Sequence, residues 1–403
     1  MGLLEMSDQL SLFSKSGFYR FESTNSIFID PVRILNCSYT RFRVSPSAYY
    51  SRFFESKDVE ETRVSPSANS KKRKRKKKKS LALNEREQSA DHRHQEARPL
   101  LLRAHEALLD STDLLSSLCD LKRDFCSSNE SKDVSPCVEK PVEQSFVELG
   151  SVWQAPLYEI SLHFNPQNKQ IEDEGSPIDQ YGEREVVPIF NNLVVNETND
   201  DAEAEFLYSQ YIIPRDSRFY MTASHVSFCF LFIMWKSDLR QIQNLIPAEP
   251  DHGFNLIVID PPWENRAARQ KSVYPTLPNR YFLSLPVKQL THTEGALVAL
   301  WVTNREKLRV FVEKELFPSW GVRYVATFYW LKVKADGSLI GELDLFHHRP
   351  YECLLMGYCH GEVMDPNCQL SFRCPQDNQV IISVPGDYSR KPPIGSIQAL
   401  TYY

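Results

Sequence analysis

The stretch Asn255–Trp263, Asn-Leu-Ile-Val-Ile-Asp-Pro-Pro-Trp, decides the fold. Residues Leu256 to Ile259 form an unbroken apolar, largely β-branched run of the length expected for a strand that is buried on both faces. Because Pro261 and Pro262 cannot continue a central strand, this strand must end at Asp260. That places Asp260 at the carboxyl end of a parallel strand, where open α/β sheets bind ligands.

A carboxylate followed by two prolines and an aromatic residue suits chemistry on the exocyclic amine of adenine, whose lone pair is delocalised into the ring. Asp260 and the backbone carbonyl of Pro261 can accept its two N–H bonds, and the prolines, Pro262 included, bring no competing N–H. Trp263 offers a flat face for a base taken out of its stack, a contact worth roughly 1–3 kcal/mol. Asp-Pro-Pro alone is equally compatible with an ordinary turn after a strand.

The downstream sequence adds a second buried strand and a basic loop. Residues Ala296 to Val302 are apolar throughout, and a helix is expected from about Arg305 to Leu316. The loop between the two strands contains Arg266, Arg269, Lys271 and Tyr274. Basic side chains with an interleaved aromatic residue suit a nucleic-acid strand beside a flipped base, although a merely solvated loop remains an alternative.

Five ordered motifs carry a family resemblance that covers roughly Tyr211 to Gly395. They are Asp-Pro-Pro-Trp (260–263), Leu-Trp-Val-Thr-Asn-Arg (300–305), Tyr-Trp-Leu-Lys-Val (329–333), His-Arg-Pro-Tyr-Glu (348–352) and Ser-Arg-Lys-Pro-Pro (389–393). Together they resemble the eukaryotic adenine-N6 methyltransferase family, that of the seventy-kilodalton mRNA methyltransferase subunit. The resemblance implies an α/β fold with a mostly parallel, Rossmann-like methyltransferase sheet. It also implies S-adenosylmethionine as methyl donor and nucleic-acid adenine as acceptor, with RNA, such as small nuclear RNA, favoured over DNA.

The same resemblance assigns roles to individual residues. Asp238 and Leu239 match the pair that contacts the adenosine of the donor, and Lys391 matches a lysine that contacts its carboxylate. Asp260 would also lie next to the donor, and Asn304 would lie on the substrate side. From the residues alone, Asp238 could equally be a helix N-cap and Lys391 a surface lysine.

A run of nine basic residues contrasts with the rest of the chain. The net charge is −5, and the run predicts nuclear import through an importin, with a nonspecific phosphate-binding arm as the alternative. We therefore expect a nuclear protein, with the cytoplasm or an organelle as alternatives. The residues of the run are Lys71, Lys72, Arg73, Lys74, Arg75, Lys76, Lys77, Lys78 and Lys79.

Three regions are expected along the chain. Residues 1–80 should be irregular and basic, with one short strand at Ser26 to Asp30, and residues 81–204 a helical and Pro-interrupted extension with an amphipathic helix at Leu100 to Phe125. The methyltransferase domain should occupy residues 205–403. Within it, Thr222 to Lys236 departs from the family and is more consistent with an insertion than with a native strand; its apolar core is too short to span a membrane.

The nine cysteines are odd in number and form no Cys-x-x-Cys pair, so free thiols and no metal site are expected. The sequence also ends before a strand that family members place beside the one ending at Asp260. We expect this to weaken donor binding, because buried unpaired backbone groups cost roughly 1–3 kcal/mol each. The protein should be a monomeric enzyme that does not bind membranes. A non-catalytic nucleic-acid-binding partner is the main alternative, and a nuclear scaffold is less favoured.

Overall fold

The computed structural model describes residues 2–38, 44–50, 84–122, 146–152, 154–164, 184–221, 241–249, 253–264, 276–345, 348–360, 375–386 and 390–394. They belong to two compact units. The first unit comprises residues 1–131, 254–276 and 291–403, and the second comprises residues 132–253 and 277–290. Lys71 to Lys79 and residues 222–236 lie outside the described residues.

Strands and helices are numbered along the whole chain. The strands are β1 Phe18–Phe21, β2 Ser26–Ile29, β3 Glu159–His163, β4 Arg184–Pro188, β5 Leu193–Asn196, β6 Ala202–Phe206, β7 Ser209–Ile213, β8 Ser217–Tyr220, β9 Leu256–Ile259, β10 Ala296–Val302, β11 Val322–Lys332, β12 Tyr351–Cys359 and β13 Val380–Ser383. The helices are α1 Gly2–Ser16, α2 Pro31–Ser38, α3 Pro46–Tyr49, α4 Glu85–Asp110, α5 Thr112–Leu118, α6 Phe146–Ser151, α7 Val287–Leu290, α8 Glu306–Phe311 and α9 Phe317–Trp320. A π-helical turn, Val312–Leu316, joins α8 to α9.

The first unit is built on a seven-stranded sheet with the order β1-β2-β13-β11-β12-β10-β9. Parallel pairing joins β9 to β10, β11 to β13 and β13 to β2. Antiparallel pairing joins β12 to both β10 and β11, and β1 to β2. Five of these strands therefore run in one direction, and β1 and β12 run in the other. The sheet is mixed, with three parallel and three antiparallel pairings, and the α/β fold is confirmed.

Apolar clusters cover the two faces of this sheet. One face buries Trp301 and Trp330, whose rings meet edge to face at 5.7 Å, together with Leu354 and Ile381. The other face is covered by α1, α4 and α5, which pack on the strands through residues such as Leu101. Side chains on alternate residues of each strand supply the two faces, as the pleat requires.

The strand that precedes Asp260 is less buried than its sequence predicts. Among the described residues β9 pairs only with β10, at one end of the sheet order. Val258 is 44% exposed, and none of the four residues of β9 is fully buried. The prediction of a strand buried on both faces is therefore wrong, because an apolar run indicates a strand but does not indicate its place in the sheet.

The N-terminal region is part of the sheet. The strand expected at Ser26 to Asp30 is present as β2, which lies between β1 and β13 and pairs in parallel with β13. The prediction that residues 1–80 are irregular is wrong for residues 2–38 and 44–50, which form α1, β1, β2, α2 and α3. Four-residue strands carry too little periodicity to be recognised without their partner strand.

The long helix begins earlier than predicted. Helix α4 starts at Glu85, where the Asn84 side chain accepts from the Glu87 backbone N–H and the Glu87 side chain accepts from the Asn84 backbone N–H. This reciprocal capping satisfies two backbone donors at the helix start. Instead of one helix to Phe125, α4 ends at Asp110 and α5 begins at Thr112.

The second unit is largely antiparallel. Strands β4, β3, β6 and β7 form a sheet in that order, and β5 pairs with β8. Its core contains Ile160, Phe190 and Phe206. The helical character predicted for residues 81–204 is wrong for this part of the chain. The predicted domain boundary at residue 205 is also wrong, because it would cut β6 and the core of this unit contains strands from both sides of that position.

The described residues include neither a membrane-spanning helix nor a cluster of metal-binding side chains. None of their helices is long and apolar enough to cross a membrane. No group of three or more His, Cys, Asp or Glu side chains among them is arranged to hold a metal ion.

The pairing of β2 with β13 predicts that the N-terminal region stabilises the sheet. Phe28 of β2 is fully buried, so Phe28→Ala should lower the free energy of unfolding by about 3–5 kcal/mol. Leu12→Ala, at a position that is 61% exposed in α1, should change it by less than about 0.5 kcal/mol. Urea unfolding followed by tryptophan fluorescence would measure both, and equal effects would contradict the integration of this region into the sheet.

Candidate active site at the carboxyl edge of the sheet

The turn that follows β9 is held against the neighbouring strand. The backbone N–H of Trp263 donates to the carbonyl of Pro261 at 2.8 Å, which closes a tight turn around Pro262. The indole N–H of Trp263 donates to the carbonyl of Trp301, the penultimate residue of β10, also at 2.8 Å. These two bonds fix the main chain next to Asp260.

Four charged side chains meet at this edge of the sheet. The Lys391 ammonium lies 3.7 Å from Asp260 Oδ1 and 3.0 Å from Glu352 Oε2. The other oxygen of Glu352, Oε1, accepts a hydrogen bond from the Lys332 ammonium. Because Lys332 ends β11 and Glu352 lies at the start of the antiparallel β12, the strand pairing itself brings these two side chains together.

Both ammonium groups rest on tryptophan rings. Lys332 Nζ lies 4.4 Å from the ring centroid of Trp330, and Lys391 Nζ lies 5.6 and 5.7 Å from those of Trp330 and Trp301. Trp330 is held in turn by its indole N–H, which donates to Ser383 Oγ at 2.7 Å. Desolvated cation–π contacts of this kind stabilise a charge by about 0.5–2 kcal/mol.

Burial and neighbouring charges oppose each other in this cluster. Burial raises the pKa of Asp260 above its usual range; Lys391 opposes this shift and the like charge of Glu352 adds to it. Burial also raises the pKa of Glu352, but the charges of Lys332 and Lys391 outweigh it and hold that pKa below its usual range. Burial lowers the pKa of Lys332 against the attraction of Glu352.

Asp260 is the member of the cluster that solvent reaches. Its side chain is 49% exposed, against 9–18% for the other three side chains. A substrate that approaches this edge would therefore meet the Asp260 carboxylate first. Its position at the end of a parallel strand confirms the location predicted from the Pro-Pro stop.

The structure changes the interpretation of two residues in the predicted corner. Trp263 is only 6% exposed, so the prediction that it offers an open face for a base does not hold in this structure; the residue anchors the turn instead. The Pro261 carbonyl already accepts the Trp263 N–H. Because a carbonyl oxygen has two lone pairs, it can accept one more hydrogen bond.

Asn304 lies just beyond the end of β10, but its side chain is engaged within the protein. Its amide donates to the carbonyl of Tyr351, and its Oδ1 accepts from the Cys353 thiol at 3.5 Å. These contacts tie β10 to β12. They give Asn304 a structural role in addition to the predicted substrate contact.

A separate cavity of about 430 Å³ lies beside Asn304, and Tyr351 and Cys353 line it. Glu352, between these two residues, points to the opposite face of the sheet, as alternation along a strand requires. Residues of α4, α8 and the π-helical turn bound the cavity. Arg93 of α4 forms ion pairs with Glu306 of α8 and with Glu313 of that turn. The four-charge cluster is therefore distinct from this cavity.

Other predicted site residues lie outside the described part of the chain. They are Asp238, Leu239, Arg266, Arg269, Lys271 and Tyr274. Lys332 and Glu352, in contrast, lie within two of the motifs, but no role is predicted for them from the sequence. A charged residue at the end of an apolar strand, as in Trp-Leu-Lys (330–332), is the signal that could have identified Lys332.

Comparisons with known proteins identify a family model and several relatives that match part of the chain. Residues 254–399 match the family model MT-A70. The chain is 30% identical over 210 residues to mouse N(6)-adenine-specific methyltransferase METTL4, covering 51% of this chain and 41% of that protein. It is 35% identical over 152 residues to the N6-methyladenosine RNA methyltransferase MTA1 of Pyricularia oryzae, covering 35% of this chain and 38% of that protein.

A Caenorhabditis elegans DNA N6-methyl methyltransferase is 32% identical over 164 residues, covering 39% of this chain and 40% of that protein. The chain thus spans about two fifths of the length of the curated relatives it matches. The matched family segment begins just before β9 and contains Asp260, Glu352 and Lys391. All five motifs lie within this segment, so the match to the MT-A70 model agrees with the resemblance that they predicted.

Proposed function

We propose that this protein transfers a methyl group from S-adenosylmethionine to the exocyclic amine of an adenine in nucleic acid. The observation that carries the proposal is the half-exposed Asp260 carboxylate at the carboxyl end of β9, held beside Lys391 within the MT-A70 segment. Relatives named as adenine-N6 methyltransferases support the same reaction.

The chain's own groups would orient the amine. Asp260, when ionised, accepts one N–H of the adenine amine, and the remaining lone pair of the Pro261 carbonyl accepts the other. Both acceptors draw the nitrogen lone pair out of conjugation with the ring. The turn closed by Trp263 keeps the carbonyl in place, so little reorganisation is needed when the amine arrives.

The same residues fit a cationic donor that carries a carboxylate. When bound, S-adenosylmethionine supplies the electrophilic methyl group from its sulfonium. The anionic Asp260 is compatible with a cation nearby, and Lys391 has three N–H donors, which leaves capacity for the donor's carboxylate beside its contacts to Glu352 and Asp260. Asp238 and Leu239 would contact the donor's adenosine.

RNA is the acceptor that we favour. The Pyricularia relative is named as an RNA methyltransferase and the Caenorhabditis relative as a DNA methyltransferase, so the family name alone leaves both acceptors possible. Transfer of labelled methyl groups to matched RNA and DNA oligonucleotides, small nuclear RNA sequences among them, would test this choice. Nucleic-acid binding without transfer to either would identify a non-catalytic binding protein.

Asp260→Asn should lower the methylation rate by about 100- to 1000-fold, because the amide presents a neutral acceptor or an N–H where the amine needs a carboxylate. Glu342→Gln, which removes an exposed carboxylate from the loop after β11, serves as the matched control and should leave the rate unchanged. Rates on one adenine-containing oligonucleotide would be compared for both variants. Wild-type turnover by Asp260→Asn would contradict the proposed role.

Activity should fall on the acid side at a higher pH than an ordinary aspartate would give. Burial raises the pKa of Asp260, so the carboxylate needed to accept the amine N–H is protonated as the pH falls through that raised value. A pH–rate profile with the oligonucleotide at low concentration would locate this limb. A limb at the pKa of a free aspartate would show that Asp260 is not the titrating group.

We also propose that the protein acts in the nucleus, delivered by importin binding to Lys71–Lys79. Residues 60–90 fused to an inert reporter should carry it into the nucleus, because clustered ammonium and guanidinium groups form the contacts that import receptors recognise. The control replaces Lys74, Arg75 and Lys76 with alanine. A cytoplasmic reporter with the intact segment would remove this part of the proposal.

A further inference from the structure

We propose that Lys332 is a positioning residue of the Asp260 site, which it controls through Glu352. The inference rests on the proposed function for its catalytic meaning. Its physical content is that Lys332 occupies one oxygen of Glu352, so that the other oxygen holds Lys391 beside Asp260. Lys332 itself does not contact the amine.

Lys332 carries a buried charge that packing of the core does not require. Lys332 is only 7% exposed at the end of β11, where its neighbour Leu331 is fully buried. Buried ammonium groups are costly to desolvate, and apolar residues in place of a buried ion pair are often neutral or stabilising. A lysine at this position is therefore better explained by its ion pair with Glu352 than by its contribution to the core.

The Glu352 carboxylate bridges Lys332 and Lys391. Glu352 directs one oxygen to each lysine, so its carboxylate separates two ammonium groups that would otherwise repel each other. The ring of Trp330 lies 4.4 Å from Lys332 Nζ and 5.6 Å from Lys391 Nζ, so one indole contacts both ammonium groups. Lys391 is thereby fixed within 3.7 Å of Asp260.

The charges around Asp260 are balanced. Among the described residues, the charged groups that act on Asp260 are Lys391 from the segment after β13, Glu352 from β12 and Lys332 from β11. Two carboxylates face two ammonium groups. Without Lys332, two carboxylates would share one ammonium, and such a pair takes up a proton more readily.

The test compares Lys332→Met and Lys332→Arg in the full chain. In Lys332→Met the acid limb of the methylation profile should shift to higher pH by about one unit, because a nearby cation has been lost. Lys332→Arg keeps the charge and should restore the wild-type limb. Lys334→Met, which removes a lysine two residues further along the chain, is the matched control and should leave the limb in place.

A second readout does not depend on activity. Carbon-13 NMR titration of the aspartate and glutamate carboxyls, with Asp260→Asn used for assignment, should show the Asp260 titration at higher pH in Lys332→Met than in wild type. If Lys332→Met does not fold, Lys332→Gln removes the same charge but keeps a polar partner for Glu352. Its Asp260 titration should also lie at higher pH than in wild type.

The outcomes separate the two proposals. A shifted titration in a protein that methylates no adenine would uphold the positioning role of Lys332 and reject the proposed reaction. Normal methylation with an unchanged acid limb and an unchanged Asp260 titration in Lys332→Met would overturn the positioning role. So would an unchanged Asp260 titration in Lys332→Gln.

Discussion

The contact of Glu352 with two lysines is the interaction on which the edge of the sheet depends. It exists because β12 runs antiparallel between β10 and β11, which brings its first residues to the edge where its neighbours end. A parallel strand in that place would present its last residues there instead. The direction of one strand thus sets which carboxylate lies between Lys332 and Lys391.

Burying a charge costs free energy of solvation, and the rings of two tryptophans reduce this cost for the two ammonium groups. Trp301 and Trp330 pack edge to face in the core, and each presents its ring to an ammonium group at the rim. The same side chains therefore contribute to the core and to the site. This coupling joins the stability of the sheet to the placement of Lys391, since a shift of either ring would move a cation.

Local features of this site could be predicted from the sequence, and distant ones could not. The end of β9 before Asp260 follows from two prolines after an apolar run. The proximity of Asp260 and Lys391, by contrast, is implied only by the family resemblance. The orientation of Trp263 depends on the carbonyl of Trp301, a partner 38 positions away. The place of β2 beside β13 depends on a pairing between segments separated by most of the chain. Such pairings leave no local periodicity to detect.

The balance of charges matters for the proposed methyl donor, which is itself a cation. An excess of ammonium groups beside Asp260 would repel a sulfonium, and an excess of carboxylates would raise the pKa of Asp260 until it carried a proton. With two groups of each sign, the ammonium groups oppose the rise in the pKa of Asp260 without making this edge of the sheet strongly positive. Because Glu352 is shared by both lysines, the balance is maintained by a single side chain, and the two cations are correctly placed only while it stays ionised.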